Sequence, residues 1–293
     1  MNENNLAIVR IKGGFGNQLF QLCFANELIQ RGYKTYIDTS FFNKTSSEFL
    51  SEETTERELV LPLDYFQLSE VPYRIKIFIK IMEHIVYSKF LNNRSNNFFN
   101  KFLCTHKGYV FEQEKIHKIN IFDGYWKSSL YLENQIDFMK KSLSKNSEIL
   151  KYINNSPPQT SVMIHVRRRD FVDNNWDLSI DYYKNAFEYL NKHLKDYFFD
   201  VFTDDYSWVQ DNEQFQNAKN IYCEREEKNI SPIIDFSRML NYKNFVTANS
   251  SFSVIPAFLK ADEDSIVIVP DPWYENSSHP TLQRKNWIKI KNI

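Results

Sequence analysis

Four short apolar runs in the second half of the chain each end in a polar tail, with helical stretches between them. "SVMIHV" runs into Arg167-Arg168-Arg169-Asp170, "YFFDVF" into Thr203-Asp204-Asp205, "NFVTA" into Asn249-Ser250-Ser251, and "SIVIV" into Pro270-Asp271-Pro272-Trp273. Strand-like runs alternating with helices are what βαβ units require, and successive βαβ units build a parallel sheet. The carboxyl ends of its strands lie along one edge, over the crevice where ligands bind, so the four tails converge although they are far apart in sequence.

The first half opens in the same way. From Ile8 to Ser40 the chain reads as an apolar strand, the glycine loop Gly13-Gly14-Phe15-Gly16, an amphipathic helix and a second strand ending in Asp38. The spacing predicts that Leu19, Leu22, Cys23, Phe24, Leu28 and Ile29 face the sheet and that Asn17 caps the helix. A polar loop from Ser46 to Arg57, the apolar "ELVLPLDYFQL", a helical stretch from Val71 to Phe90, a strand in "KINIFDGYWKS" and a helix near Ser128 to Leu143 follow. Two prolines among small polar residues at Asn154 to Thr160 read as a linker. The expected division is therefore a Rossmann-like domain over 1–155 and a second over 156–293.

Composition limits the partners. Lys+Arg 36 against Asp+Glu 37 leaves a net charge of -1, so no global field draws the molecule to nucleic acid. Cys23, Cys104 and Cys223 are odd in number, far apart and without metal-ligand spacing, which fits a reducing cytoplasm rather than a disulfide framework or structural zinc. No stretch reaches the ~18 uncharged apolar residues of a membrane span, and Met1 to Leu6 lacks a signal core. Within Arg74 to Phe90 lysines and apolar residues segregate as on an amphipathic helix, either covering a sheet or resting on a membrane surface. The Asn-x-Ser/Thr triplets at Asn43 and Asn276 carry no weight in so Asn-rich a chain.

The strand tails hold the chemistry. Three guanidiniums at one strand end, Arg167 to Arg169, concentrate positive charge in a near-neutral protein, and guanidiniums grip phosphate oxygens in pairs without losing their proton. A solvated basic turn paired with Asp170 and Asp173 is the plain alternative. Asn249-Ser250-Ser251-Phe252-Ser253 offers hydroxyls and backbone amides at a helix start, where an anion is favoured, and Pro256 makes a start at Ser253 more comfortable than one at Asn249. Thr203, Asp204 and Asp205 can cap a helix, hold a metal or accept hydrogen bonds from a nucleoside, the last suiting adjacent carboxylates without histidine best. No GxxxxGK[ST] is present, so these parts describe a nucleoside-diphosphate site without a P-loop.

This combination resembles glycosyltransferase family 11, the α-1,2-fucosyltransferases that use GDP-β-L-fucose. The resemblance rests on "RIKGGFGNQLFQ", "GYWKS", "HVRRRDF", "FTDD", "ANSSFS" and "VIVPDPWY", in order along nearly the whole chain. It implies a GT-B architecture, two Rossmann-like domains facing a cleft, with inverting chemistry, no cofactor and no metal. Arg167 would grip the β-phosphate with Arg168 in support. His165 and one of Asp204 or Asp205 would contact the nucleoside, and Ser251 to Ser253 would add phosphate donors. Gly14, Gly16, Asn17 and Gln18, with Phe15 between them, would serve the sugar and the acceptor. Asp170, Asp173 and Asp177 are candidate bases, and Asp170 can instead pair with the arginines. The partners implied are a GDP-sugar donor and a glycan or lipid-linked oligosaccharide acceptor in bacterial surface polysaccharide synthesis, with at most peripheral membrane contact.

Two positions depart from the family pattern. Arg169 stands where glycine is usual, and Val254-Ile255-Pro256 where two tryptophans and a small residue are usual, which points to another GDP-deoxysugar, such as a 3,6-dideoxyhexose, as the alternative donor. Two other classes compete. An NAD(P)-dependent oxidoreductase would use Asp38 for the ribose, but Leu19 stands where its third glycine belongs. An RNA-binding module would rest on the arginines and aromatics, against the near-zero net charge. The C-terminal "QRKNWIKIKNI" reads as a solvated end or as a membrane-brushing segment.

Overall fold

The computed structural model describes residues 5–43, 58–87, 103–109, 117–153, 158–223, 231–273 and 282–292. The Ser46 to Arg57 run, residues 154–157 of the expected linker, Asn276 and Tyr274 lie outside the described residues. The chain forms two compact α/β units, Met1–Ser142 and Leu143–Ile293. The division falls before the prolines because the helix Ser147–Tyr152 belongs to the second unit. It packs on the helix Pro232–Met239, and Asn241 Nδ2 donates to Tyr152 O at 2.5 Å.

The first unit is built on a parallel sheet in the order β2-β1-β4-β3, with β1 Leu6–Arg10, β2 Lys34–Asp38, β3 Leu103–His106 and β4 Ile119–Phe122. The helix Phe15–Gln30 joins β1 to β2 and is buried almost all round rather than on one face. Trp126 stacks on Phe24 at 4.6 Å and Tyr131 lies 5.0 Å from the same ring, covering the side away from the sheet. Five of the six residues expected to face inward are buried, and Ile29 is 41% exposed. The helix's buried Glu27 is satisfied: Gln135 Nε2 donates to its Oε2 at 3.0 Å.

The second unit carries six parallel strands in the order β10-β9-β8-β5-β6-β7: β5 Ser161–Val166, β6 Phe198–Thr203, β7 Asn220–Cys223, β8 Asn244–Val246, β9 Val267–Asp271 and β10 Ile288–Lys291. Counted outward from β5, this is the doubly wound order of a dinucleotide-binding fold. Val162, Ile164, Val166 and Val201 pack against Tyr182, Tyr183, Ala186 and Leu190 of the helix Ile180–His193, whose start Ser179 caps by accepting from Tyr182 N at 3.3 Å. The basic C-terminal segment is not a free end. It forms the edge strand β10 on β9, and Trp287 is buried 4.6 Å from Phe258. Both units are therefore Rossmann-like parallel α/β units.

Candidate active site

In the second sheet β5 is flanked by β8 on one side and β6 on the other, so the strand order reverses there. A crevice opens at the carboxyl ends of strands that diverge in this way. Ile164 pairs with Val246, which leaves Arg167 and Asn249 each three residues beyond the last registered pair. On the other side Val166 pairs with Thr203, which places Arg167 beside Asp204. On β8's other side Val246 pairs with Ile268, and Asn249 Nδ2 donates to Trp273 O at 3.1 Å, so all four expected tails meet at one edge.

The three arginines divide their work. Arg167 Nη1 lies 2.8 Å from Asp204 Oδ2 and its Nη2 lies 2.5 Å from Asp170 Oδ1, with the guanidinium 5.4 Å from the Phe171 ring. The Asp204 contact is an ion pair whose angle falls outside hydrogen-bond geometry, so Oδ2 has no hydrogen-bond donor. Arg168 is a clamp: Nη1 meets Asp177 at 2.9 Å, Nε meets Asp205 at 3.3 Å, and the guanidinium sits 4.4 Å over Trp208. Arg169 opens the helix Arg169–Asp173, and its Nε donates to Asp204 O at 3.2 Å. Its backbone is not in the positive-φ region, so arginine replaces the usual glycine here without that strain.

The Thr203 to Asp205 tail takes up one of its three expected roles, capping a helix. Asp204 Oδ1 accepts from Arg168 N at 2.8 Å, and Asp205 Oδ1 caps the helix Tyr206–Asp211 by accepting from Trp208 N at 3.1 Å. Thr203 Oγ1 accepts from Asp205 N at 3.0 Å. Both carboxylates therefore fix arginines and a helix start instead of standing open to a nucleoside. Burial raises the Asp204 carboxyl above its ordinary range against the opposing pull of Arg167 and the Arg168 N–H. Of the candidate bases, Asp170 and Asp177 hold Arg167 and Arg168, and Asp173 is exposed at the end of its short helix. Among the described residues no three His, Cys, Asp or Glu side chains gather as a metal set.

Across the crevice His165 and Asn249 carry the unexplained polar atoms. His165 is 5% exposed, its Nδ1 has no hydrogen-bond partner, and its ring lies 6.0 Å from Phe252. Burial first, and Arg167 second, push its pKa down to about 3, so the ring is a neutral imidazole at physiological pH. Asn249 Nδ2 donates to Trp176 O at 2.7 Å and to Trp273 O at 3.1 Å, while its buried Oδ1 is unsatisfied. Native interiors rarely leave such atoms unpaired, and two at one switch point mark a place for a polar ligand.

The helix after β8 runs Ser251–Lys260, with Ser250 Oγ capping it from Phe252 N at 3.3 Å. It begins two residues earlier than the expected Ser253, with Pro256 inside the helix. Ser253 is fully buried, and its hydroxyl donates back to Ser250 O at 3.3 Å, away from any phosphate role. Val254 and Ile255 are also fully buried, so this departure from the family pattern changes core packing rather than a wall of the crevice. Ser251 is nearly buried, and Phe252 is the half-exposed residue of that turn.

In the first unit the glycine loop follows β1 and meets the loop after β4. Gly13 has φ +77°, and a Cβ there would stand 2.7 Å from Asn17 Nδ2 and 3.2 Å from Tyr125. Gly14, not Asn17, is the helix N-cap, because Asn17 lies inside the first turn. Phe15 and Gly16 are buried, and Gln18, expected to reach a ligand, is a structural tether. Its Nε2 donates to Gly13 O at 3.0 Å and Glu58 O at 2.8 Å, and its Oε1 accepts from Val60 N at 3.0 Å.

The sequence reading missed the charged edge beside this loop. Arg10 contacts Glu83 at 2.6 Å, Asp123 at 3.4 Å and Asp38 at 3.5 Å, and Lys12 contacts Asp123 at 3.0 Å. Lys76 adds a 3.2 Å contact to Asp38, which is therefore occupied where a ribose reader would be open. The strand-end rule that found Arg167 would have found Arg10 and Asp123, which close or follow β1 and β4.

Comparison with known proteins places the chain in a family. The family model described as Glycosyl transferase family 11 matches residues 7–291. An α-1,2-colitosyltransferase of Escherichia coli is 25% identical, over 98% of this chain and 99% of the relative. The O-antigen biosynthesis glycosyltransferase WbnK, also of Escherichia coli, is 24% identical over 96% and 99%. A crystal structure of the α-1,6-fucosyltransferase NodZ with GDP is similar at 16% identity and a TM-score of 0.44, covering 87% of this chain and 92% of that one, which is too distant to transfer any residue's role.

Proposed function

The chain belongs to glycosyl transferase family 11, and we propose that it moves L-fucose from GDP-β-L-fucose to the 2-hydroxyl of a galactoside in bacterial O-antigen or related surface polysaccharide, with inversion and without a metal. The single observation that carries the donor reading is Arg167 at the switch point, opposite the unsatisfied His165 Nδ1 and Asn249 Oδ1. On this reading the second unit takes the GDP-sugar. The diphosphate displaces Asp170, whose carboxylate is partly exposed, from Arg167, while buried Asp204 keeps the guanidinium aimed.

The acceptor hydroxyl attacks the anomeric carbon from the face opposite GDP, and charge grows on the departing β-phosphate. Arg167 and the N–H groups at the Ser251 helix start meet that charge in a site that needs no reorganisation. Asp170 stands beside the guanidinium on the leaving-group side, so the acceptor's proton is assigned to no named carboxylate, and oxocarbenium character lessens the demand for a strong base. Neutral His165 contributes a hydrogen bond and no charge. Gly14 to Asn17 of the first unit are the residues proposed for the acceptor. The free cysteines fit a cytoplasmic reaction.

A second donor is favoured by one observation. A relative matching the whole chain is named an α-1,2-colitosyltransferase, which makes GDP-colitose the next candidate. Offering GDP-fucose and GDP-colitose with a panel of galactosides, with and without EDTA, and reading the linkage by NMR tests the proposal. An α-1,2 product in EDTA is expected; loss of all turnover in EDTA contradicts the metal-free reading, and a different linkage contradicts the acceptor reading.

A further inference from the structure

The helix Tyr73–Tyr87 of the first unit buries one apolar stripe and exposes another. Ile79 and Met82, with the half-buried Ile75, pack against Ile8, Leu103 and Ile121 of the sheet. At about 100° per residue the opposite side carries Tyr73, Ile77 and Ile81, and Phe78 lies on the flank between. These are 76%, 41%, 54% and 44% exposed in that order. Arg74, Lys80 and His84 are exposed among them. The helix's one acid up to His84, Glu83, is turned inward to Arg10 at 2.6 Å, and Lys76 is turned inward to Asp38 at 3.2 Å. From Tyr73 to His84 the outward face thus combines large apolar side chains with cations and no carboxylate.

The expected segregation of apolar from basic residues is absent on this side, and a helix facing only water would be polar there. A second copy of the chain is a poor cover, since a twofold contact would set Arg74 and Lys80 against the same cations. The charge and the apolar content together match one kind of surface. We propose that this face rests on an anionic membrane, with Ile77, Phe78 and Ile81 at the headgroup boundary and Arg74 and Lys80 on lipid phosphates. Ile75, Ile79 and Met82 hold the helix flat on the sheet, so the contact is a lying one. This goes beyond the transferase reading and does not depend on it.

Flotation of the full chain with phosphatidylcholine vesicles, with and without phosphatidylglycerol, tests the assignment. Binding should require phosphatidylglycerol and weaken with salt. Arg74→Gln with Lys80→Gln should weaken it about 30-fold, equivalent to ~1 kcal/mol for each cation near the surface. Ile77→Ser with Ile81→Ser should lower it at every salt concentration, with the thermal melt kept because neither side chain is in the core. If that pair melts early, the charge pair decides alone. Turnover on a water-soluble galactoside should stay parental in both, so failure of this surface and failure of the transferase reading are separable. Equal flotation of parent and variants overturns the proposal, as does a concentration-dependent dimer that Ile77→Ser with Ile81→Ser abolishes.

Discussion

Replacing Arg167 with alanine should damage turnover and stability by separable amounts. The side chain of Asp204 is 5% exposed and that of Asp170 is 38% exposed. The Asp170 pair is a surface pair worth ~0–1 kcal/mol. Without Arg167, Asp204 keeps the Arg168 N–H at 2.8 Å as its partner in a place where burial already raises its pKa. A buried acceptor stripped of a charged partner costs ~1–3 kcal/mol. Taking ~2 kcal/mol, the melting temperature of this unit should fall by about 4–8 °C.

The pH dependence has a definite sign. An acid that binds its proton more tightly folded than unfolded weakens the fold at neutral pH and relieves it as pH falls through the raised value. Arg167→Ala raises Asp204 further, so its deficit against the parent should be widest near neutrality and narrow in acid. Adding Asp204→Asn removes the buried charge and should restore most of the melting temperature while leaving turnover low. Turnover itself should fall ~10²- to 10³-fold, about 3–4 kcal/mol, as for loss of one preorganised charge-stabilising donor. A kcat within about threefold of the parent, ~0.7 kcal/mol, refutes the role given to Arg167. A double variant no more stable than the single one refutes the role given to Asp204.

The neighbouring Arg168 should behave in the opposite way: Arg168→Ala loses two partly exposed ion pairs and the Trp208 contact, ~1.5–3 kcal/mol by urea unfolding, with KM and kcat less affected than in Arg167→Ala. With its pKa pushed down to about 3, His165 should show no imidazole titration by NMR from neutral pH to pH 5; because its neutral form is the folded one, stability should drop as pH falls below the unfolded value of ~6.5, and His165→Asn should flatten that limb. At Gly13, alanine should cost ~1–2 kcal/mol for its left-handed backbone, whereas Gly124→Ala should cost ~3 kcal/mol or more, since its Cβ meets the Gly108 carbonyl and stands 2.8 Å from Gly108 N. Thermal melts of the two variants give the order directly.

Strands with β-branched runs and special residues after them were legible, because the apolar run and the tail come from the same constraint: β5, β6, β8 and β9 were read where they lie. The strands missed, β3, β7 and β10, are four residues each and sit at sheet edges, where one exposed flank lets polar residues in. Side-chain roles were less legible than positions. Asp204 and Asp205 were placed at the right strand end, but a sequence does not say that a carboxylate is already taken by an arginine three dozen residues upstream. Gln18 was read as pointing out because it follows the glycine loop. It points in, since the backbone of residues 58–60 needs its amide.

Donor choice illustrates the same limit most sharply. Val254 and Ile255 were expected to change the donor site because they replace aromatics next to it, yet both are fully buried and touch the interior. Their neighbour Phe252 is half-exposed, faces His165 at 6.0 Å and Phe236 at 6.1 Å, and lies at the crevice end of the same turn. If donor preference is set by contact along this helix, Phe252 can carry it and the fully buried Val254 and Ile255 cannot. Ile255→Ala should then cost ~2–5 kcal/mol of stability and leave the ratio of kcat/KM for GDP-fucose over GDP-colitose unchanged. Phe252→Ala should shift that ratio with little loss of stability, since its ring is already partly in water. The assay is the pair of kcat/KM values on each variant. A ratio moved by Ile255→Ala and unmoved by Phe252→Ala would mean that packing behind the helix, rather than the residue facing the sugar nucleotide, selects the donor.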